Sequence, residues 1–336
     1  MSGEDAALAA AQALVDRDEY RAAIELLTAA NRRGASIAIE TRLVGLRHAG
    51  FAAAANPTPW PPTPADPFPG ARGVPEIAAA ALSAAALGGA LQHHGCLLVR
   101  GLVPPARAAL LGDDIDRAFA AYDAMFEGRA TAEDARWLTP FSPGDGSAYT
   151  PLQRHWGRLN AGILLADSPR SLYDVTETWA AIGLGRHLAD YLGEWPALSF
   201  KKCTLRRTPP DAKTEWHQDG AFLGTATRTV NIWLACTPCG EDAPGLDVVP
   251  RRLPELAPMG TASALFDWSV ASEEADRLAA GDVARPVFAA GDALCFDQMT
   301  LHRTAVDASM TRTRWAIESW FFAPSTYPLD QVPILL

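Results

Sequence analysis

The 336-residue sequence predicts a mainly β protein with flanking helices, the helices coming first and an antiparallel sandwich or barrel after them. Two patterns carry this reading. Up to residue 55 the apolar positions recur at helical spacing and no strand signal interrupts them. From residue 197 on, short runs rich in valine, isoleucine and aromatics alternate with Gly, Pro and Asp turns. A composition of 49% hydrophobic and 20% charged residues is that of a folded chain, long enough for one large domain with an appendage.

Residues 1–55, with "AALAAAQALVDRDEYRAAIELLTAANRRG", predict two or three short helices that look like a tetratricopeptide-like hairpin. Leu8, Leu14, Tyr20, Ala23, Ile24 and Leu27 are its packing positions. A lone unit of this kind cannot bury both faces, so it docks on its own body or on a protein partner. Residues 56–75 hold eight prolines and read as an extended linker or wrapping strap.

The main domain, 76–336, begins with a predicted helix over Ile77–His93, a strand over Cys96–Val99 and a helix over Pro105–Ala124 entered through a double proline. Residues 139–161 are irregular, long for a connection, and carry Tyr149, Arg154, His155 and Trp156. They read as a lid or a disordered segment, with His155 a substrate contact or a solvated loop histidine. After a helix around Ala180–Leu192, strands are predicted within 197–207, 229–236, 246–250, 285–290, 292–297 and 314–322.

A net charge of -10 disfavours nucleic acid and anionic membranes as partners and leaves small molecules as the expected class. The alanine-rich apolar run Ile77–Leu91 is shorter than the ~20 residues that span a bilayer. The acidic start "MSGEDAALAA" lacks the order of a secretory signal, so a cytoplasmic location is expected. Five cysteines fit reduced thiols, and the Cys236–Cys239 CxxC, without a second pair, reads as two small buried residues.

The stretch "TEWHQDG" carries the chemistry. His217 and Asp219 are two apart, which places both side chains on one side of an extended backbone. Two imidazoles and one carboxylate on one face are the donor set of a reactive ferrous site with open positions. The third donor should come from a distant strand, and His302 in "GDALCFDQMTLHRTA" is the candidate. Taken alone, an HxD is also the pattern of a solvated histidine in a polar turn.

The order of these features, with helices first, HxD opening the strand series, a distal histidine and an arginine soon after, resembles the phytanoyl-CoA dioxygenase family of iron(II)/2-oxoglutarate oxygenases. The resemblance spans roughly residues 77–325 and is strongest from Lys201 onward. It implies a double-stranded β-helix, or jelly roll, with the metal at one mouth. It further implies Fe(2+) on His217, Asp219 and His302, and 2-oxoglutarate held by Arg314 of "TRTRWAIESWFF", with Asn231 and Trp233 of "TVNIWLAC" beside it. The implied activity is O2-dependent hydroxylation, or another oxidation, of a small organic substrate, with succinate and CO2 formed.

The carboxylate of Asp219 favours this chemistry over halogenation, since halogenating relatives leave its place to chloride. Several alternatives stay open. Arg312 lies two positions from Arg314, Glu318 is a same-face partner for Arg314, and Trp233 and Asn231 also suit simple core packing. Where relatives often carry a Gly-Ser-His turn, this chain has Pro250-Arg251-Arg252-Leu253. A non-catalytic binding or scaffolding protein, its hairpin recruiting a partner, is the reading from another class.

Overall fold

A computed structural model describes all residues except 1, 58, 60–63, 144–148, 214, 262 and 329. Helices α1 (Gly3–Val15), α2 (Tyr20–Arg33) and α3 (Ile37–Ala49) form an N-terminal layer. The Ser2 and Ser36 hydroxyls accept from the Asp5 and Ile39 amides and cap α1 and α3, a contribution of about 1 kcal/mol each. Ala23, Ile24, Leu27, Ile39, Leu43 and Leu46 close on one another and on Tyr173 of a later helix, so the layer docks on its own chain. Arg47 of α3 also donates to the Leu335 carbonyl near the C-terminus (2.9 Å).

The described part of the proline-rich stretch lies along α4 (Ala84–His94). Asp66 bonds the His94 ring at 2.9 Å, and the Pro64 carbonyl bonds the His93 ring at 3.0 Å. Gly89 permits the close passage: a Cβ there would meet the Ala65 carbonyl oxygen at 2.6 Å.

Three stretches differ from expectation. The helix expected from Ile77 starts only at its Ser83 cap, because Glu76–Ala78 form strand β1, parallel to β2 (Cys96–Arg100). After α5 (Pro105–Phe126), the stretch read as irregular contains α6 (Pro151–Leu159), started by Pro151 and a Thr150/Gln153 capping box. Residues 144–148 of that stretch lie outside the described residues. Beyond β3 (Gly162–Leu164) come two helices where one was expected, α7 (Pro169–Ala181) and α8 (Leu184–Leu192).

The remaining elements are β4 (Ala197–Ser199), β5 (Thr204–Thr208), α9 (Gly220–Leu223), β6 (Thr229–Ala235), β7 (Gly245–Val248), α10 (Ser272–Ala279), β8 (Ala293–Phe296), β9 (His302–Ala305), β10 (Arg314–Phe322) and β11 (Pro333–Leu335). Residues 285–290 contribute only the Cys239–Phe288 bridge, and Pro286 has no N–H to extend a ladder. With ten α-helices beside eleven strands among the described residues, "mainly β" describes the core rather than the whole chain. None of the described helices is long and apolar enough to cross a membrane.

Nine strands form one sheet in the order β1-β2-β8-β6-β10-β4-β11, with β5 beside β10 and β3 beyond it. A second layer is built on the β7–β9 pair and widened by the bridges Trp216–Val270, His217–His302 and Val248–Ala284. Directly opposed residues share a face, so the register Arg314↔Thr208, Trp320↔Asn231, Glu318↔Trp233 and Asn231↔Phe296 defines one face of the large sheet. That face looks at the second layer, because the Phe296 ring lies 4.6 Å from the His302 ring. The opposite face, with Ile232, Leu234, Ile317 and Phe321, belongs to the main core together with Ile115 and Phe119 of α5 and Trp179 of α7.

Candidate metal centre

His217 and His302 pair through two backbone bonds, His217 N–H to the His302 carbonyl at 2.9 Å and the reverse at 3.0 Å. Their rings stand 4.3 Å apart. Each imidazole bonds through Nδ1 to a main-chain carbonyl two residues earlier, Glu215 for His217 and Thr300 for His302, both at 3.0 Å. A bond of this kind makes Nδ1 the protonated nitrogen and leaves the Nε2 lone pair for a ligand. Burial, followed by the neighbouring His302, holds the His217 pKa down to about 4, so its ring is neutral at pH 7.

The rest of the motif explains itself residue by residue. Gln218 is a clamp: its amide donates to the Met299 carbonyl (2.7 Å) and accepts from the Ala257 N–H (2.7 Å). Asp219 sits in a helical turn conformation at the start of α9, not in the extended backbone expected. Its carboxylate therefore reaches the histidines from a turn, and Oδ2 lies 3.6 Å from His302 Nε2. Gly220 donates to the Gln298 carbonyl (2.8 Å), and any side chain there would run into Leu256 at 2.7 Å.

Burial opposes ionisation of Asp219, but the Lys202 ammonium against it and the two imidazoles more than offset this and hold it below the usual carboxylate range. One ligand atom each from His217, Asp219 and His302 lies within 4.8 Å of the others. Two imidazoles with fixed tautomers and one ionised carboxylate suit a divalent metal with open positions. The donor set thus fits the iron expected.

Arg314 is 2% exposed and has no carboxylate in an ion pair among the described residues. Its guanidinium donates to the Gly245 carbonyl (3.0 Å) and to Thr208 Oγ1 (2.7 Å), lies over the Trp233 ring at 5.0 Å, and leaves Nε unpartnered. Burial lowers its pKa to about 10, and it stays charged. Glu318 is taken by Arg206 in a two-pronged pair at 3.0 and 3.1 Å. Arg312 sits on the surface beside Asp242. Asn231 and Trp233 are both buried on the face that looks at the histidines, and the Asn231 Oδ1 has no partner.

Other residues singled out in the sequence lie elsewhere. His155 stacks on Phe126 at 4.5 Å, and Arg154 is tied to buried Asp167 by two bonds, 2.6 and 3.0 Å. Arg154 thus anchors its segment. Cys236 and Cys239 are free and buried, and burial pushes both thiols up. In the divergent turn, Arg252 pairs with Asp297 beside β8. A surface depression of about 480 Å³, lined by Asp116, Arg158, Arg207 and Trp315 among others, opens on the side of the sheet away from Arg314. Lys202, Thr208 and the Gln218 clamp were not singled out in the sequence; they reach the centre through chain reversals that spacing does not encode.

The phytanoyl-CoA dioxygenase (PhyH) sequence model matches residues 91–312. No curated protein matches the sequence. Among solved structures, AviO1 from Streptomyces viridochromogenes Tue57 is 17% identical, with 74% of this chain and 98% of that one covered and a TM-score of 0.44. The non-heme alpha-ketoglutarate-dependent carbocyclase SnoK from nogalamycin biosynthesis is 14% identical over 74% and 87% of the two chains, TM-score 0.46. EctD from S. alaskensis, solved with 2-oxoglutarate and 5-hydroxyectoine, is 14% identical over 79% and 87%, TM-score 0.48. With the match covering well over half its length and both histidines and the aspartate inside it, the chain belongs to the phytanoyl-CoA dioxygenase family.

Proposed function

We propose that the protein is an iron(II)- and 2-oxoglutarate-dependent dioxygenase that oxidises a small organic substrate. His217, Asp219 and His302 hold the iron, and Arg314 holds the far carboxylate of 2-oxoglutarate with Trp233 and Asn231 alongside. The observation that carries the reading is the convergence of three suitable donors from segments more than 80 residues apart in the chain. Family membership gives it a chemical context. The two facing layers are, on this reading, the halves of a double-stranded β-helix with the metal between them near one mouth.

Iron(II) and 2-oxoglutarate, when held there, supply O2-dependent oxidation of a C–H bond, with 2-oxoglutarate ending as succinate and CO2. The chain's own work is positioning. The two Nδ1 bonds keep both Nε2 lone pairs free, the backbone bridge keeps the rings at fixed spacing, and the Lys202 contact keeps Asp219 ionised. A buried guanidinium with a spare N–H and no acid partner is a preformed receptor for a carboxylate, because its planar fork donates two parallel bonds to one. The scaffolding reading draws less support, since the apolar faces of α1–α3 already close on each other and on Tyr173.

The test is anaerobic reconstitution with ferrous iron, followed by admission of air in the presence of 2-oxoglutarate. Iron uptake and iron-dependent succinate are the expected results. Succinate no higher than in the metal-free protein would remove the reading.

A further inference from the structure

At the rim of the metal centre lies a group of aromatic side chains that the proposed chemistry does not use. Trp268 meets the His217 ring edge-on, 5.7 Å between centroids and at 83°. Phe266 stacks flat on Trp268 at 4.9 Å and 4°, and Phe222 leans on it at 5.6 Å. Phe222 follows the ligand motif directly on α9, and the loop carrying Phe266 and Trp268 is held in place by the Val270 N–H to Trp216 carbonyl bond of 2.8 Å. These rings are not packing residues of the ordinary kind. Phe222 is 37% and Phe266 40% exposed, whereas Trp216, Trp233 and Trp320 of the same two layers are 1–3% exposed. Beside them the Lys202 ammonium lies 4.1 Å from the Phe222 ring while it contacts Asp219.

We infer that the substrate is a planar aromatic or conjugated acid, which lies against the rings of Trp268 and Phe222 and turns its acidic group to Lys202. The inference rests on the reading of His217 as a metal ligand, because that is what puts these rings beside the reacting position. Exposed flat rings gain from offset or edge contact with another π-face, which a saturated ring of the same size does not return. A cationic substrate is disfavoured on two counts. Phe266 and Trp268 are stacked on each other, so they form no cage for a cation, and the Lys202 ammonium beside the Phe222 ring repels one.

Charge points the same way. Lys202 and Arg314 are cationic and Asp219 anionic, while Arg206 and Glu318 neutralise each other. A ferrous ion and the 2-oxoglutarate dianion add nothing net. Of the groups at the centre itself, one positive charge is in excess, on the Lys202 side, which favours an acid there. An ammonium has three donors, so Lys202 keeps donors beyond the one facing Asp219.

Calorimetric titration of the protein with 2-naphthoate, decahydro-2-naphthoate and 2-naphthamide tests this, with iron(II) and 2-oxoglutarate present and oxygen absent. Wild type should bind 2-naphthoate about tenfold more tightly than its saturated counterpart and than the amide. Trp268→Leu, which keeps apolar bulk but loses the π-face, should erase the first preference, and Lys202→Met the second. Thermal melting checks that both variants are folded, and Trp268→Phe, which restores a π-face, should recover part of the first preference. Equal binding of the two naphthoates by wild type, no measurable binding, or selectivity unchanged in Trp268→Leu would overturn the inference. Iron stoichiometry on the same samples separates the two readings: absence of iron uptake would overturn the metal reading and this inference with it, and iron uptake without selectivity would overturn this one alone.

Discussion

His217 and His302 are held face to face by main chain alone: both backbone bonds between them are made, at 2.9 and 3.0 Å, and their rings stand 4.3 Å apart. Residues opposed in an antiparallel pair leave the same face of the layer, so the spacing of the two imidazoles does not depend on their side chains. Asp219 is different, since it reaches them from a turn that Gln218 and Gly220 hold in place.

The ligand assignment can therefore be tested without loss of the fold. His302→Ala removes a donor and leaves the bridge, so the protein should melt within a few degrees of wild type. Its iron affinity, measured by anaerobic titration, should fall by more than the roughly 10–100-fold that loss of an outer partner costs a metal site. Wild-type affinity in this variant would take His302 out of the ligand set.

For the cosubstrate, Arg314 and Arg312 make opposite predictions. Arg314 is buried and has a spare N–H, whereas Arg312 is exposed beside Asp242. Loss of a buried charged contact costs about 2–5 kcal/mol, and loss of a rim contact little. Anaerobic titration of 2-oxoglutarate should thus show a large loss of affinity in Arg314→Lys, which keeps charge but not the fork, and near wild-type binding in Arg312→Ala. The reverse order would move the site to Arg312.

Acid should weaken the metal-free protein in a defined window. His217 titrates near 4 when folded, against 6.5 as its ordinary value. Between these values the unfolded chain takes up a proton that the folded chain refuses, so stability is full above about pH 6.5 and is lost as pH falls toward 4. For a half-buried ring the loss is on the order of 2 kcal/mol. Asp219, held below the usual range, adds its own loss only at lower pH. Melting temperatures between pH 7 and 4.5 should fall less steeply in His217→Gln. An identical slope in the two proteins would exclude His217 as the titrating group.

Much of this was legible in the sequence because it is written in local pattern. Alternation over Thr229–Ala235 and Arg314–Phe322 gives strands, whereas spacing alone does not separate Arg314 from Arg312, and only the resemblance of the run Arg-Trp-Ala-Ile-Glu to the family's pattern favours Arg314. Helix α6 was legible but overlooked: Thr150-Pro151 followed by Gln153 is a capping box with proline at the first turn. Strand β1 was not legible, since Glu76–Ala78 differ from helix only through their pairing with β2. The turn at Asp219, the approach of Lys202 and the aromatic rim depend on contacts among segments far apart in sequence, and residue spacing holds no information about them.

The N-terminal helices give the last prediction. Glu40 of α3 is completely buried and accepts from Arg136 (2.8 and 3.0 Å), Arg170 (3.0 Å) and Asn31 (3.0 Å), which ties α3 to α2, to α7 and to the stretch after α5. Glu40→Gln keeps the shape but removes the charge that two arginines share. Breaking a fully buried pair costs about 3–5 kcal/mol, but both arginines here keep about a quarter of their side chains in contact with water, so about 2–3 kcal/mol is expected. If α1–α3 are part of one cooperative body, calorimetry should show a single transition that moves down as a whole in Glu40→Gln. A separate early transition, shifted alone by the substitution, would instead make residues 1–55 an independent domain, and the ion pairs of Glu40 a contact between two bodies rather than a strut within one.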